Sequence, residues 1–262
     1  MSIREEAINW YVKKLGKMPN IENPKTYNEK LQWLKIYDQD PRQITMCDKN
    51  AVKDYVKNIV GEKYVIPNTN SYPAVWKTNH GNGSIRFVNN PSDETIAYKK
   101  LNKKMKKPFA TWNGEWAYRF IEPKIVKEVV LTDNTDYKFH CVNGEVRFMQ
   151  LIWDRGGKDT KECIFDSDGN VLDRHLYPKM QSVKRELPCS SSNYAELCSI
   201  AKELSQGWKY VRVDLYWSDN QPWFGEFTFW PGAGVYPENK DSLYFGNVLD
   251  FDLNTKKDPI LK

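Results

Sequence analysis

At the start of the chain the apolar residues recur at helical spacing. Ile3, Ala7, Ile8, Tyr11 and Leu15 fall on one stripe, and Gly16 and Pro19 close it. Thr26 and Glu29 have capping-box spacing ahead of a second stripe, Leu31, Leu34 and Tyr37. Asp48 is placed to cap a third helix, with Val52, Tyr55, Val56 and Ile59, that Gly61 stops. Nothing in this helical leader has the look of catalysis. It reads as packing, with at most a substrate-facing edge. Beyond Pro67 the period shortens to two. VWKTNHGNGS, Val75 to Ser84, reads as a strand running into a glycine turn, and Ile85 to Val88 as the returning strand. A helix is expected from Ser92 to Lys107. KIVKEVVL, Lys124 to Leu131, then DYKFHCV and EVRFMQLIWDR read as strands, the last two joined by a type I′ turn at Asn143-Gly144. Asp168-Gly169 marks another hairpin, so residues 124–174 are mainly antiparallel sheet. Ser192 is placed to cap a helix with Tyr194, Leu197, Cys198, Ala201 and Leu204 on one face, ended by Gly207. The tail after Asp252 is polar and is expected to be ordered only in part.

The stretch from Tyr210 to Gly234 carries the strongest chemical signal. Val211, Val213 and Leu215 alternate with Arg212, Asp214 and Tyr216. Ser218, Asp219, Asn220 and Pro222 supply a turn. Phe224, Glu226, Thr228 and Trp230 then alternate with Gly225, Phe227 and Phe229. Asp214 and Glu226 thus interrupt two apolar strands, where an uncompensated carboxylate is costly. In the usual hairpin register they face each other across neighbouring strands. Two such oxygen donors suit Mg²⁺, which favours carboxylates, water and substrate phosphates. The alternative is a carboxylate in an ion pair with Arg212 or a lysine.

Other features stay open at this level. Gly81 and Gly83 permit a tight turn whose backbone N–H groups can cradle phosphate oxygens, with Lys77 just before it and Asn79 and His80 inside it; many such turns are only turns. Lys99, Lys100, Lys103, Lys104, Lys106 and Lys107 form either a solvated basic face or a landing surface for a polyanionic acceptor. Trp112, Trp116 and Tyr118 suit a sugar cleft or ordinary core. The 262 residues make one large domain or two small lobes, and 40% hydrophobic residues suffice for a core. A net charge of +5 favours anionic ligands such as phosphates or uronic acids but is too mild to imply nucleic acid. The five cysteines are scattered without a CxxC pair, which points to neither a zinc site nor a disulfide framework and fits a reducing compartment. No signal-like apolar core or membrane-length apolar run is present, so a cytoplasmic protein without an integral membrane segment is expected.

Several stretches together, in this order, resemble the TupA-like ATP-grasp family: NPKTYNEKLQWLKIYD, KTNHGNGS, EWAYRFIEPKIVKEVVL, DYKFHCVNG and VRVDLYWSDNQPWFGEFTFWPGAG. The resemblance runs from about Pro24 to Phe251, and the sequence between Asp154 and Cys189 adds little to it. It implies an α+β, ATP-grasp fold in which two antiparallel-sheet lobes sandwich ATP behind a helical leader. The corresponding divisions are a helical segment at 1–63, a smaller lobe with the glycine loop at 64–123, and a larger lobe with the metal site at 124–262. By the same resemblance, Lys77 contacts ATP, and His80, Gly81, Asn82, Gly83 and Ser84 form the loop over its phosphates. Glu128, with Val129 and Val130, is the hinge that reads adenine. Asp136 and Lys138 hold ribose or phosphate, and Arg155 and Arg212 hold the transferred phosphoryl group. Asp214 and Glu226 are the Mg²⁺ ligands. Many ATP-grasp enzymes place Asn two residues after the second carboxylate; Thr228 stands there, and its hydroxyl or a water would complete the set.

The activity implied is a carboxylate–amine ligase that uses ATP and Mg²⁺. Its partners would be a carboxylate-bearing sugar or polysaccharide precursor and an amino acid or amine, in the making of a bacterial surface polysaccharide or capsule. Two other classes compete. A metal-dependent glycosyltransferase would show a DxD motif after a buried parallel strand; the DSD at Asp166–Asp168 runs into Gly169-Asn170, which reads as a turn. A noncatalytic polysaccharide-binding module would use the tryptophan-rich loops and would not need Lys77 or the carboxylate pair.

Overall fold

The computed structural model describes residues 1–260 apart from 82, 107, 108, 110, 111, 134, 155–158 and 258. The leader forms α1 (Ile3–Leu15), α2 (Tyr27–Tyr37), α3 (Arg42–Cys47) and α4 (Val52–Ile59). The Thr26/Glu29 capping box is present, and a second, Ser2 with Glu5, starts α1. Helix α3 was not foreseen, because six residues are too few to show a stripe. Asp48 caps the turn ahead of α4 rather than the helix itself: its Oδ1 accepts from the backbone N–H groups of Asn50 and Ala51 at 2.8 and 3.2 Å.

Next come β1 (Ala74–Thr78), β2 (Ile85–Val88), α5 (Pro91–Met105) and β3 (Ile125–Val129). Asn90 caps α5 by accepting from Ser92 N–H, and Pro91 takes the first helical position, where its missing N–H costs nothing. The three strands make a small antiparallel sheet in the order β2-β1-β3. The larger lobe holds β4 (Asp136–Val142), β5 (Glu145–Trp153), β6 (Lys161–Asp166), β7 (Val171–Leu172), β8 (Gln181–Ser182), α6 (Ser191–Leu204), β9 (Tyr210–Ser218), β10 (Gln221–Thr228) and α7 (Ser242–Val248). Its strands lie in the order β10-β9-β4-β5-β6-β7, antiparallel throughout that path, with β8 beside β6. Ser190, two residues earlier than expected, caps α6. Asp219 and Asn220 both take positive φ, which makes the β9–β10 connection a tight two-residue turn.

Two cores follow from this layout. Trp76, Val88, Ala97 and Leu101 form a small one between α5 and the small sheet. The large one joins Tyr27, Leu31 and Leu34 of α2 to Phe139, Met149, Val213 and Leu215 of the larger sheet. Helix α6 packs against β4, β5 and β9. The leader is therefore part of the larger lobe's core. The architecture is α+β, with two antiparallel sheets facing a shared cleft.

Candidate active site

The floor of the cleft is the polar face of the larger sheet. β4, β9 and β10 lie side by side, and their register sets Lys138, Asp214 and Glu226 opposite one another in a row. Side chains alternate along a strand, so Val213 and Leu215 enter the core while Arg212 and Asp214 share the cleft face. The β9–β10 register shifts between Phe224 and Glu226, a bulge at Gly225. A Cβ on Gly225 would come within 2.8 Å of the Tyr216 ring and 3.0 Å of the Asp214 carbonyl oxygen. The bulge is what brings Glu226 level with Asp214.

Asp214 is buried and fully engaged. Arg212 Nε donates to its Oδ1 at 2.6 Å, while Arg212 Nη2 and Lys138 Nζ reach Oδ2 at 2.7 and 2.5 Å. Lys138 also lies 3.4 Å from Asp136 Oδ1. Burial pushes the Asp214 carboxyl up, but Arg212 and Lys138 overcome this and hold it below the ordinary carboxylate range. The ion-pair alternative for Asp214 is thus present twice over. Thr228 is engaged too, its Oγ1 accepting from Arg212 Nη2 at 3.0 Å. Glu226 is half-buried with Lys49 Nζ 3.1 Å away. Burial raises its carboxyl, and Lys49, followed by Lys138 and Arg212, brings the net shift down.

The roof is the small sheet and its turn. Lys77 and Glu128 lie on one face of that sheet, with Lys77 Nζ 2.5 Å from Glu128 Oε2 and Lys53 Nζ 2.7 Å from Oε1. Val130 follows the end of β3. In the turn, Thr78 Oγ1 donates to the His80 carbonyl at 2.8 Å, and the His80 ring is buried beside Asn79. Burial, then Lys49, lowers the His80 pKa. Gly81 and Gly83 hold φ of 71° and 69°, a region that favours glycine, and Ser84 is buried behind them. Asn82 and Arg155 lie outside the described residues.

Lys49 was missed in the sequence. It sits between α3 and α4, and its ammonium pairs with Glu226 while donating to the Gly81 carbonyl at 2.6 Å. A lysine in a polar turn carries no periodic or motif signal; only the fold shows that it links floor to roof. Lys53, on the polar face of α4, was missed because a helical lysine off the apolar stripe reads as solvated. Lys49, Lys77, Gly81 and Ser84 from one side and Asp136 and Glu226 from the other enclose a cavity of about 110 Å³. Around it five cations, Lys49, Lys53, Lys77, Lys138 and Arg212, face four carboxylates, Glu128, Asp136, Asp214 and Glu226. Asp48, accepting from the Asn79 amide at the base of the turn, brings the carboxylates to five, and Lys49 and Lys77 face the cavity from the roof side.

Among the described residues, no group of three or more His, Cys, Asp or Glu side chains could by itself hold a metal ion. Paired carboxylates on adjacent strands still fit Mg²⁺, which is held by one or two carboxylates and takes its other oxygens from water and phosphates. Glu226 borders the cavity, and Asp214 lies beside it on the next strand. The other sequence candidates fall elsewhere. Trp116 is core, Trp112 is 52% exposed, and Asp166 of the DSD accepts from the N–H groups of Asp168 and Asn170, as a turn requires.

A family model described as TupA-like ATPgrasp matches residues 29–249, from within α2 to just past α7. The chain belongs to the TupA-like ATP-grasp family. Its two antiparallel sheets and helical leader are the ATP-grasp architecture that the sequence motifs implied. No curated protein sequence matches it. Solved structures similar to it include the D-alanine–D-alanine ligase from Bacillus anthracis, 13% identical, covering 71% of this chain and 57% of that one with a TM-score of 0.44. The D-alanine–D-alanine ligase from Helicobacter pylori is 12% identical, covering 84% and 68% with a TM-score of 0.47. The L-amino acid ligase from Bacillus licheniformis is 12% identical, covering 79% and 51% with a TM-score of 0.48. This ATP-grasp chain thus spans little more than half the length of the first and last of these. No helix among the described residues is long and apolar enough to cross a membrane.

Proposed function

We propose that this ATP-grasp protein is an ATP-dependent carboxylate–amine ligase that forms an amide through an acyl phosphate. The observation that carries the reading is the phosphate-sized cavity between Lys77 with the glycine turn and Glu226 with Asp214. Lys49 and Lys77 would bind the non-transferred phosphates, and the backbone around Gly81 and Gly83 would cover them. Arg212 and Lys138 would steady the equatorial oxygens of the transferred phosphoryl group. Glu226 and Asp214 would hold Mg²⁺, with Thr228 beside them; when bound, the ion would supply charge neutralisation for the triphosphate. Lys138 is the mobile element in this reading. When it turns from Asp214 to an incoming phosphate, Asp214 Oδ2 would keep only its Arg212 contact, and its second lone pair would become available to the metal. At 110 Å³ the cavity holds a phosphate group but not a whole nucleotide, so ATP entry requires roof and floor to part.

The substrate carboxylate takes the γ-phosphoryl group and releases ADP. The amine then attacks the acyl carbon, and phosphate leaves as the C–N bond forms. Closure of the turn over the site keeps water from the acyl phosphate. The carboxylate belongs to a uronic acid of a bacterial surface polysaccharide or its nucleotide- or lipid-linked precursor, and the amine to an amino acid or small amine. The reaction is placed in the cytoplasm, where ATP is available. The sequence-derived divisions at 1–63, 64–123 and 124–262 enter the reading as leader, roof and floor, except that β3 (Ile125–Val129) belongs to the roof.

The test is ADP release with Mg²⁺-ATP, a panel of uronates and a panel of amines, alongside melting temperatures with each nucleotide. The ligase reading expects ATP to raise the melting temperature and ADP to form only when both acid and amine are present. Stabilisation by a sugar nucleotide but not by ATP would favour the glycosyltransferase, and stabilisation by neither would favour the binding module.

A further inference from the structure

The other large feature lies on the opposite side of the small sheet. Lys77 faces the cavity, so its neighbour Trp76 faces away, into a groove of about 860 Å³ between that sheet and α5. Trp76 and Ile125 floor it. Lys127, opposite Trp76 in register, holds its ammonium 4.0 Å from the centre of the indole ring. The wall is α5. Lys99, Lys103 and Lys106 recur every three or four residues, and all three line the groove, whereas Lys100 and Lys104 do not. Tyr98, 55% exposed, presents its ring on the same wall. Glu94 also lines the groove, its carboxylate accepting from the Tyr72 hydroxyl, and Asn102 stands between the lysines.

We propose that this groove binds a segment of an acidic carbohydrate chain. Four ammonium groups suit its carboxylate or sulfate groups. The exposed Tyr98 ring suits the apolar face of a sugar, while Trp76, 3% exposed, lies beneath the Lys127 ammonium and only backs the floor. Glu94 and Asn102 suit ring hydroxyls, which a carboxylate and an amide accept and donate to. A phosphodiester chain matches this set less well, because it offers fewer hydroxyls for Glu94 and Asn102. A chain held here lies behind the roof of the cleft without entering the nucleotide cavity. The inference stands on this groove alone and not on the ligase reading.

The test titrates the full-length protein with a short oligogalacturonate and, separately, with its fully methyl-esterified form, a single-stranded oligodeoxynucleotide and phosphatidylserine vesicles. Binding of the acid form alone is expected. The exposed triple change Lys99→Gln, Lys103→Gln, Lys106→Gln is expected to weaken it by about tenfold, the sum of three modest surface charge contacts. The change Lys100→Gln, Lys104→Gln is expected to leave it intact, and ATP affinity should not respond to either. No binding of the acid form, equal binding of the ester, tighter binding of the oligodeoxynucleotide or the vesicles, or an unaffected triple variant would each overturn the proposal.

Discussion

A carboxylate buried as deeply as Asp214 keeps its charge only because Arg212 and Lys138 compensate it. That sets the outcome of mutating it. Asp214→Ala leaves two buried cations without their partner and is expected to cost about 3–5 kcal/mol of stability, so lost activity in that variant reports on folding as well as chemistry. Glu226, half-buried and paired with Lys49 alone among the ion pairs described, is the cleaner probe. Glu226→Gln is expected to fold with a near-normal denaturation midpoint and to lose ADP formation. Chemical denaturation of both variants beside an ADP assay checks this; full turnover in Glu226→Gln would remove it from the metal site.

At the scale of elements, the hairpin β9–β10 was the most legible part of the chain. Its alternation fixed which residues of β9 face inward, and Asp219-Asn220 marked the turn, but in β10 Phe224, grouped with Glu226 by the alternation, enters the core beside Phe227. The bulge at Gly225 was not legible, because a glycine in a strand can mark several things. The leader was misjudged in part. Its helices were evident from their stripes, but its role was not, since Lys49 and Lys53 act through contacts that only the assembled fold creates. The leader supplies both core residues and a cation to the cleft. Lys49→Gln is expected to weaken ATP binding by about tenfold or more, as expected for a lost charged hydrogen bond to phosphate. Calorimetric titration measures it, and an unchanged affinity would return the leader to packing alone.

Across the whole molecule, polar groups continue from the candidate site into the core. His140 lies next to Lys138 and Arg212 on the same sheet face, stacked on Phe148 and bonded to the Tyr210 hydroxyl at 2.9 Å. Burial, then Arg212 and Lys138, drives its pKa well below the ordinary histidine value. The unfolded chain therefore takes up a proton there before the folded one does. The resulting stability is fully present above the ordinary histidine pKa of about 6.5 and is lost as pH falls below it. Melting temperature is expected to drop between about pH 7 and pH 5, with a shallower slope in His140→Gln. An identical slope in the two proteins would move the effect elsewhere. The order of the main helices and strands was legible because the motifs are local. The pairing of Lys49 with Glu226 and the groove behind β1 were not, because each joins segments far apart in sequence.

The most direct test is a crystal structure with Mg²⁺ and a nonhydrolysable ATP analogue. The account predicts the triphosphate between Lys49, Lys77 and the glycine turn on one side and Glu226 on the other, with Mg²⁺ on Glu226 and Asp214. A nucleotide bound elsewhere, or Asp214 still held by both Arg212 and Lys138 with the metal on other residues, would contradict it.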